Sequence, residues 1–119
     1  KAHYKKDHVR TALTLEELAK LDLLQGRRAE GVALFKESLK RMEENKSPSI
    51  YMILEDLAEV YFSDSERAFK NGQEKQSQEL RKIANSYLRR AHESILKHFP
   101  KDSPHIIRIQ KKLKSLKEK

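Results

Sequence analysis

The sequence predicts an all-α protein made of antiparallel helical hairpins, about five helices in total. Three observations lead there. Apolar residues recur at three- and four-residue spacing along nearly the whole chain. Turn-forming residues are scarce, with 3 Gly and 3 Pro in 119 residues. No stretch alternates apolar and polar as a half-buried strand would. The first helix is expected over about residues 8–25, its stripe filled by Leu13, Leu15, Leu18, Leu21, Leu23 and Leu24, and Gly26 ends it as a left-handed residue commonly does. The second covers about 28–45 and turns Val32, Leu34, Phe35, Leu39 and Met42 inward. Ser47-Pro48 reads as an N-cap followed by proline at the first helical position. A third helix begins there with Ile50, Ile53, Leu54, Leu57, Ala58, Tyr61 and Phe62, and runs on through Phe69 to Asn71-Gly72. The fourth, about 74–98, uses Leu80, Ile83, Ala84, Tyr87, Leu88, Ala91, Ile95 and Leu96. Phe99-Pro100 ends it, Ser103-Pro104 restarts the chain, and Ile106, Ile109, Leu113 and Leu116 mark a fifth helix over about 104–117. Loops this short set neighbouring helices antiparallel. The expected organisation is one domain over 1–119, with hairpins at about 8–45 and 49–98 and then a last helix.

Composition narrows the function classes. Hydrophobic and charged residues each make up 37% of the chain, and Cys is absent, which excludes a disulfide scaffold, thiol catalysis and cysteine-ligated zinc. No apolar run of about 18 residues exists, so no transmembrane segment is expected, and no signal peptide is evident. A cytoplasmic location, with the nucleus as a second compartment, is the expectation. The chain begins with Lys rather than Met, which suggests part of a longer protein. The net charge of +8 points to acidic partners or surfaces and carries no information about the fold.

The helices carry signs of a repeat. Ser47-Pro48-Ser49-Ile50 and Ser103-Pro104-His105-Ile106 are the same start signal 56 residues apart, and Leu18-Ala19 and Leu57-Ala58 lie 39 residues apart in comparable mid-helix places. Spacings of this order read as a solenoid, in which each hairpin hides its apolar face against the next. Leu15, Leu18 and Ala19, then Gln25-Gly26-Arg27, then Gly31, Phe35, Ser38 and Leu39 resemble one tetratricopeptide repeat (TPR). The second copy has Leu54, Leu57, Ala58 and Tyr61, followed by Ala84, Leu88 and Ala91. The resemblance covers about residues 8–117 and implies a short TPR-like solenoid in which Ala19 and Gly31 let paired helices approach while Phe35 fills the gap. Asp22 departs from the family, which usually has a large aromatic there. The Pro48 and Pro104 entries are similar to the longer repeats of kinesin light chains, whose period is about 42 residues. Against that period, the 56-residue spacing leaves 14 residues between Tyr61 and Ala84. Seven added to each helix would keep both stripes in register and extend the second hairpin by about two turns, with Phe69 and Leu80 near its tip. A disordered 14-residue loop is the alternative.

No enzyme signature is present: there is no Gly-rich phosphate loop and no HExxH pair, so the expectation is a protein with no catalytic role, no cofactor and no metal. His3 and His8, or His92 and His98, are spaced wrongly for joint ligation on one helix face. Glu16-Glu17, Glu43-Glu44 and Glu55-Asp56 are sequence neighbours that point about 100° apart on a helix, whereas acid–base work needs convergence on one atom. Ser47 and Ser103 match what proline-directed kinases accept, although capping alone explains both. The basic pairs Arg27-Arg28, Lys40-Arg41, Arg81-Lys82 and Arg89-Arg90 are spread over several helices, and the last helix is the most lopsided segment. Solvated faces, an acidic protein or lipid surface, and a nucleic acid all remain as readings of this excess.

The resemblance implies a concave wall built from the first helix of each hairpin, where a partner segment lies. Carried over position by position, it would hold Leu13, Glu16, Lys20 and Leu23, then Met52, Glu55, Asp56, Glu59 and Phe62. The last helix would add Arg108, Lys111, Lys112 and Ser115, with Lys114 completing a basic patch. Glu16 and Glu55 would repel a carboxylate, so the expected partner is a protein segment with both basic and apolar side chains, or an acidic one on the last helix. Glu55→Lys with Glu59→Lys is expected to weaken such binding without loss of stability. The expected function is that of a protein–protein interaction module or scaffold; the alternatives are a nucleic-acid-binding helical repeat and a structural repeat within a larger complex.

Overall fold

Five α-helices, and no strand among the described residues, make up the computed structural model, which describes residues 2–118, with side chains over 11–115. They are α1 (Ala2–Leu24), α2 (Arg28–Glu44), α3 (Ile50–Lys70), α4 (Glu74–His98) and α5 (Pro104–Glu118). α1 starts earlier than expected because nothing between Ala2 and His8 interrupts a helix, and Ala and Lys favour one. The chain divides into two units, Lys1–Ile53 and Leu54–Lys119.

In the first unit α1 and α2 form a hairpin closed by Gly26 at φ 81°. Arg27 N donates to Asp22 O at 2.8 Å and Gly26 N to Leu23 O at 3.1 Å, the paired bonds of a Schellman turn. The second unit repeats the device. Gly72 has φ 79°, Gln73 N donates to Ala68 O at 2.9 Å, and Gly72 N to Phe69 O at 3.1 Å. α2 ends in the same way, with Ser47 N on Met42 O at 3.0 Å, except that a lysine, Lys46, takes the left-handed position at φ 53°.

Small side chains draw each pair of helices together. A Cβ built on Gly31 would come within 2.9 Å of the Ala19 carbonyl oxygen and 3.0 Å of Leu23 Cγ. Ser38 Oγ donates to the Ala12 carbonyl at 2.6 Å, which holds the hairpin closed further from its turn. In the second unit Ser65 and Ser77 are both buried and bond reciprocally: Ser65 Oγ to Ser77 O at 2.7 Å, Ser77 Oγ to Ser65 O at 2.8 Å. Relative to their turn glycines, Ala19 and Gly31 match Ser65 and Ser77, while Ala12 and Ser38 match the buried Ala58 and Ala84. The structural period is therefore the 46 residues from Gly26 to Gly72, not the 39-residue match of Ala19 with Ala58.

Two sequence expectations change. The second hairpin is extended, but unevenly: α4 has 25 residues against 17 in α2, whereas α3 has 21 against 23 in α1. Its turn is residues 71–73, so the helical alternative holds over the 14-residue loop. On α1 the buried positions are Ala12, Glu16 and Ala19, while Leu13, Leu18, Leu21 and Leu24 are exposed. Leucine sits on every side of that helix, so periodicity could not choose the face. The choice is made by which face is small enough to meet α2. Leu96, Ile83 and Phe69 are likewise exposed, whereas Leu88, Ala91, Ile95, Ile106 and Ile109 are buried as expected. Leu116 lies outside the residues whose side chains are described.

Gly31→Ala should lower stability by about 1–2 kcal/mol, because crowding against backbone outweighs the helix propensity gained. Lys46→Gly should raise it by up to about 1 kcal/mol by relieving the left-handed lysine. Chemical denaturation of both variants reads the opposite signs.

Candidate functional site

The expected wall is only partly a surface. In the first unit Glu16 is buried, because it shares the stripe of Ala12 and Ala19, and Lys20 Nζ reaches its carboxylate at 3.2 Å. Leu23 is half-buried under Gly31, Lys20 is exposed, and Met52 is exposed on the first turn of α3. In the second unit Glu55 is buried at 6% exposure, Asp56 and Phe62 are half-buried, and Glu59 is exposed. Glu16 and Glu55 therefore do not present their carboxylates on a docking wall.

What Glu55 does instead follows from spacing. Glu55 and Glu59 are four apart on α3, and Arg108 and Lys112 are four apart on α5, so each pair lies on one face. Arg108 Nη2 donates to Glu55 Oε2 at 2.7 Å and its Nε to Oε1 at 3.2 Å, a two-pronged guanidinium–carboxylate contact. Lys112 Nζ donates to Glu55 Oε1 at 3.2 Å and to Glu59 Oε1 at 3.1 Å. Arg108 also meets His105 Nδ1 at 2.9 Å, and the His105 ring lies edge-on to Phe99 at 5.0 Å. Burial of the Lys112 amine opposes its charge, but hydrogen bonds and attraction from Glu59 and Glu55 outweigh that and raise its pKa above the ordinary lysine value. The acidic middle of the wall and half of the basic patch thus neutralise each other within one unit. Lys111 and Lys114 remain exposed.

The α3–α4 face continues beyond this network. Ala58, Glu59, Phe62, Leu88, Lys112 and Ser115 line a cleft of about 220 Å3. Arg81 lies over the Phe62 ring at 5.9 Å, and Tyr61 stacks on Tyr87 at 5.8 Å. Nearer the turn, Phe69 and Glu66 on α3 face Gln78 and Arg81 on α4 across a wider trough of about 570 Å3.

The remaining candidates are structural. Ser47 and Ser103 are buried, and their hydroxyls accept from Ser49 N at 3.2 Å and His105 N at 3.3 Å. They act as caps, and burial keeps them from a kinase in the folded chain. Among the described residues no three His, Asp or Glu side chains form a group that could hold a metal, and no helix is long and apolar enough to cross a membrane. The side chains of His3 and His8 lie outside the described residues. Comparison of the chain with protein-family models, curated proteins and solved structures returned no match.

Sequence reading missed the Ser65–Ser77 clasp and the inward role of Glu55. Both had a signal: small residues seven before and five after each turn glycine, and two oppositely charged pairs with the same four-residue spacing.

The double charge reversal at Glu55 and Glu59 should therefore destabilise the chain, contrary to the sequence expectation, since it sets lysines against Arg108 and Lys112. Glu55→Ala should cost about 1–2 kcal/mol, because Glu55 is buried and Arg108 and Lys112 lose their acceptor. Glu59→Ala, at the exposed edge, should cost about 0.5 kcal/mol or less. The Lys112 contribution is complete below the ordinary lysine pKa and is lost as pH rises through the raised one. The stability gap between wild type and Lys112→Met should close only in strong alkali, which urea titrations of both across that range would measure.

Proposed function

We propose that this chain is a non-enzymatic interaction module of tetratricopeptide type, a helical-repeat surface that holds a segment of a partner protein. The repeated turn and repeated small-residue crossings support the family reading. The observation that carries the functional one is the outward face of α1. Leu13, Leu18, Leu21 and Leu24 are 39%, 46%, 46% and 85% exposed, together about two leucines' worth of bare apolar surface on one helix. Single exposed leucines are ordinary, but Leu18, Leu21 and Leu24 follow one another at three-residue spacing and make a row of neighbouring exposed side chains, and apolar groupings of this kind mark interaction sites. A protein that uses Ala12 and Ala19 to close its hairpin and keeps four leucines outside has a surface suited to binding. The absence of cysteine fits work in the cytoplasm or nucleus.

The same leucine face favours one second reading, a repeat stacked inside a larger assembly whose neighbouring hairpin covers α1. α5 does not invite such stacking. Its Ile106 and Ile109 are buried while Gln110, Lys111 and Lys114 face outward, leaving Ile107 as an isolated exposed side chain. The nucleic-acid alternative has less to draw on, since Arg108 and Lys112 are engaged by Glu55 and Glu59.

Leu18→Glu with Leu21→Glu should abolish capture of partner proteins from a cell lysate while leaving the helical circular dichroism and the melting temperature within a few degrees of wild type. Capture unchanged by this pair would contradict the reading, and capture abolished by nuclease would favour the nucleic-acid alternative.

A further inference from the structure

We propose that Ser115 is a phosphorylation site for a basic-directed serine/threonine kinase, and that phosphate on it frees the end of α5 from α3. The site stands apart from the partner held on the leucine face of α1.

Ser115 differs from the two serines that precede proline. Ser47 and Ser103 are buried and their hydroxyls are taken up as helix caps. Ser115 is exposed, on the wall of the cleft that Lys112 and Glu59 also line. Its flanks are basic on both sides: Lys111, Lys112 and Lys114 come before it and Lys117 after it, with Leu113 and Leu116 between them. A kinase whose peptide groove is lined with carboxylates selects that charge pattern. Ser63, also exposed, is followed by Asp64 and Glu66, which such a groove repels. Reaching a helical serine requires local opening, which costs least where few apolar contacts are buried. Along α5 burial falls off toward Ser115: Ile106 and Ile109 are buried, Leu113 is half-buried, and Lys114 and Ser115 are exposed. In the transfer Ser115 Oγ attacks the γ-phosphorus of ATP. An O–P bond forms, the bond from that phosphorus to its bridging oxygen breaks, ADP leaves, and the hydroxyl proton passes to a carboxylate of the kinase.

The consequence follows from what holds this part of α5. The Lys112 amine is shared between Glu55 Oε1 at 3.2 Å and Glu59 Oε1 at 3.1 Å. Ser115 lies three residues after Lys112 and four after Lys111, within reach of both on the helix surface. A phosphate there adds about two negative charges and three strong acceptor oxygens. It gives both amines a partner on their own helix, and it stands in the same cleft as the Glu59 carboxylate. Competition for Lys112 and repulsion from Glu59 act in the same direction. α5 therefore loosens from α3 beyond Arg108, whose two-pronged contact with Glu55 persists. The loosened stretch uncovers Ala58, Phe62 and Leu88 on the cleft wall.

The test incubates the intact, folded chain with ATP and a purified serine/threonine kinase that requires basic residues around its target, and maps the product by mass spectrometry. One phosphate on Ser115 is expected, and none in Ser115→Ala. Lys111→Ala with Lys114→Ala, which spares the contacts to α3, should slow uptake at least tenfold. Glu59→Gln should speed it about twofold, because the kinase no longer competes with that glutamate for Lys112. By hydrogen exchange, the phosphorylated chain should lose protection over residues 110–115 at least tenfold, with α1 and α2 unchanged. Uptake only after unfolding in urea, or phosphate on Ser47 or Ser63 in place of Ser115, would overturn the proposal. So would exchange over 110–115 that the phosphate leaves unaltered.

Discussion

Two α-helices can run close together only where a hydrogen, a methyl or a hydroxyl stands between their backbones. This chain places such groups at matched distances from each turn. Gly31 meets the Ala19 carbonyl in one hairpin, and Ser65 and Ser77 clasp each other's carbonyls in the other. The serines add a second gain: buried hydroxyls must find partners, and here each finds the facing backbone. With the contact face given to small groups, the larger apolar residues are left to other faces. Leu18, Leu21 and Leu24 on α1 and Phe69 on α3 are outside for that reason. The constraint that closes the hairpins also leaves these apolar side chains exposed.

Charge is disposed by the same economy of faces. A net charge of +8 suggests a basic surface, yet two cations of the most basic helix are spent within the chain. Arg108 and Lys112 fix α5 to α3 through a buried carboxylate, a contact that salt screens less than an exposed pair. Lys112 also lines the cleft beside Ala58, Phe62 and Leu88 while its amine reaches Glu55. A basic composition therefore says little about a basic patch until the acids facing it are known.

The helices and their turns were legible because they rest on local signals: periodicity, Gly26 and Gly72 after a helix, and serine before proline. The extension of the second hairpin was legible only in α4, since α3 has 21 residues against 23 in α1. The small-residue positions Ala19, Gly31, Ala58 and Ala84 were legible too, since they are buried as the resemblance implies. Which face of α1 turns inward was not, because hydrophobicity is nearly uniform around it and the deciding quantity is steric. Nor were the roles of Glu16 and Glu55. A glutamate on a helix looks the same in sequence whether its partner is water or a cation on another helix, and Arg108 is 53 residues from Glu55. Of the wall residues, Leu13, Lys20, Met52, Glu59, Arg108, Lys111 and Ser115 are exposed.

The close crossing can be tested directly because the chain has no cysteine of its own. In the double variant Ser65→Cys with Ser77→Cys, the side chains replace hydroxyls whose oxygens lie 3.0 Å apart, near enough for a disulfide after a small adjustment. Mild oxidation should give a monomer with one internal disulfide, unchanged helical content and a higher melting temperature. Thiols that stay free, or that link only between molecules, would contradict the hairpin register on which the surfaces described above depend.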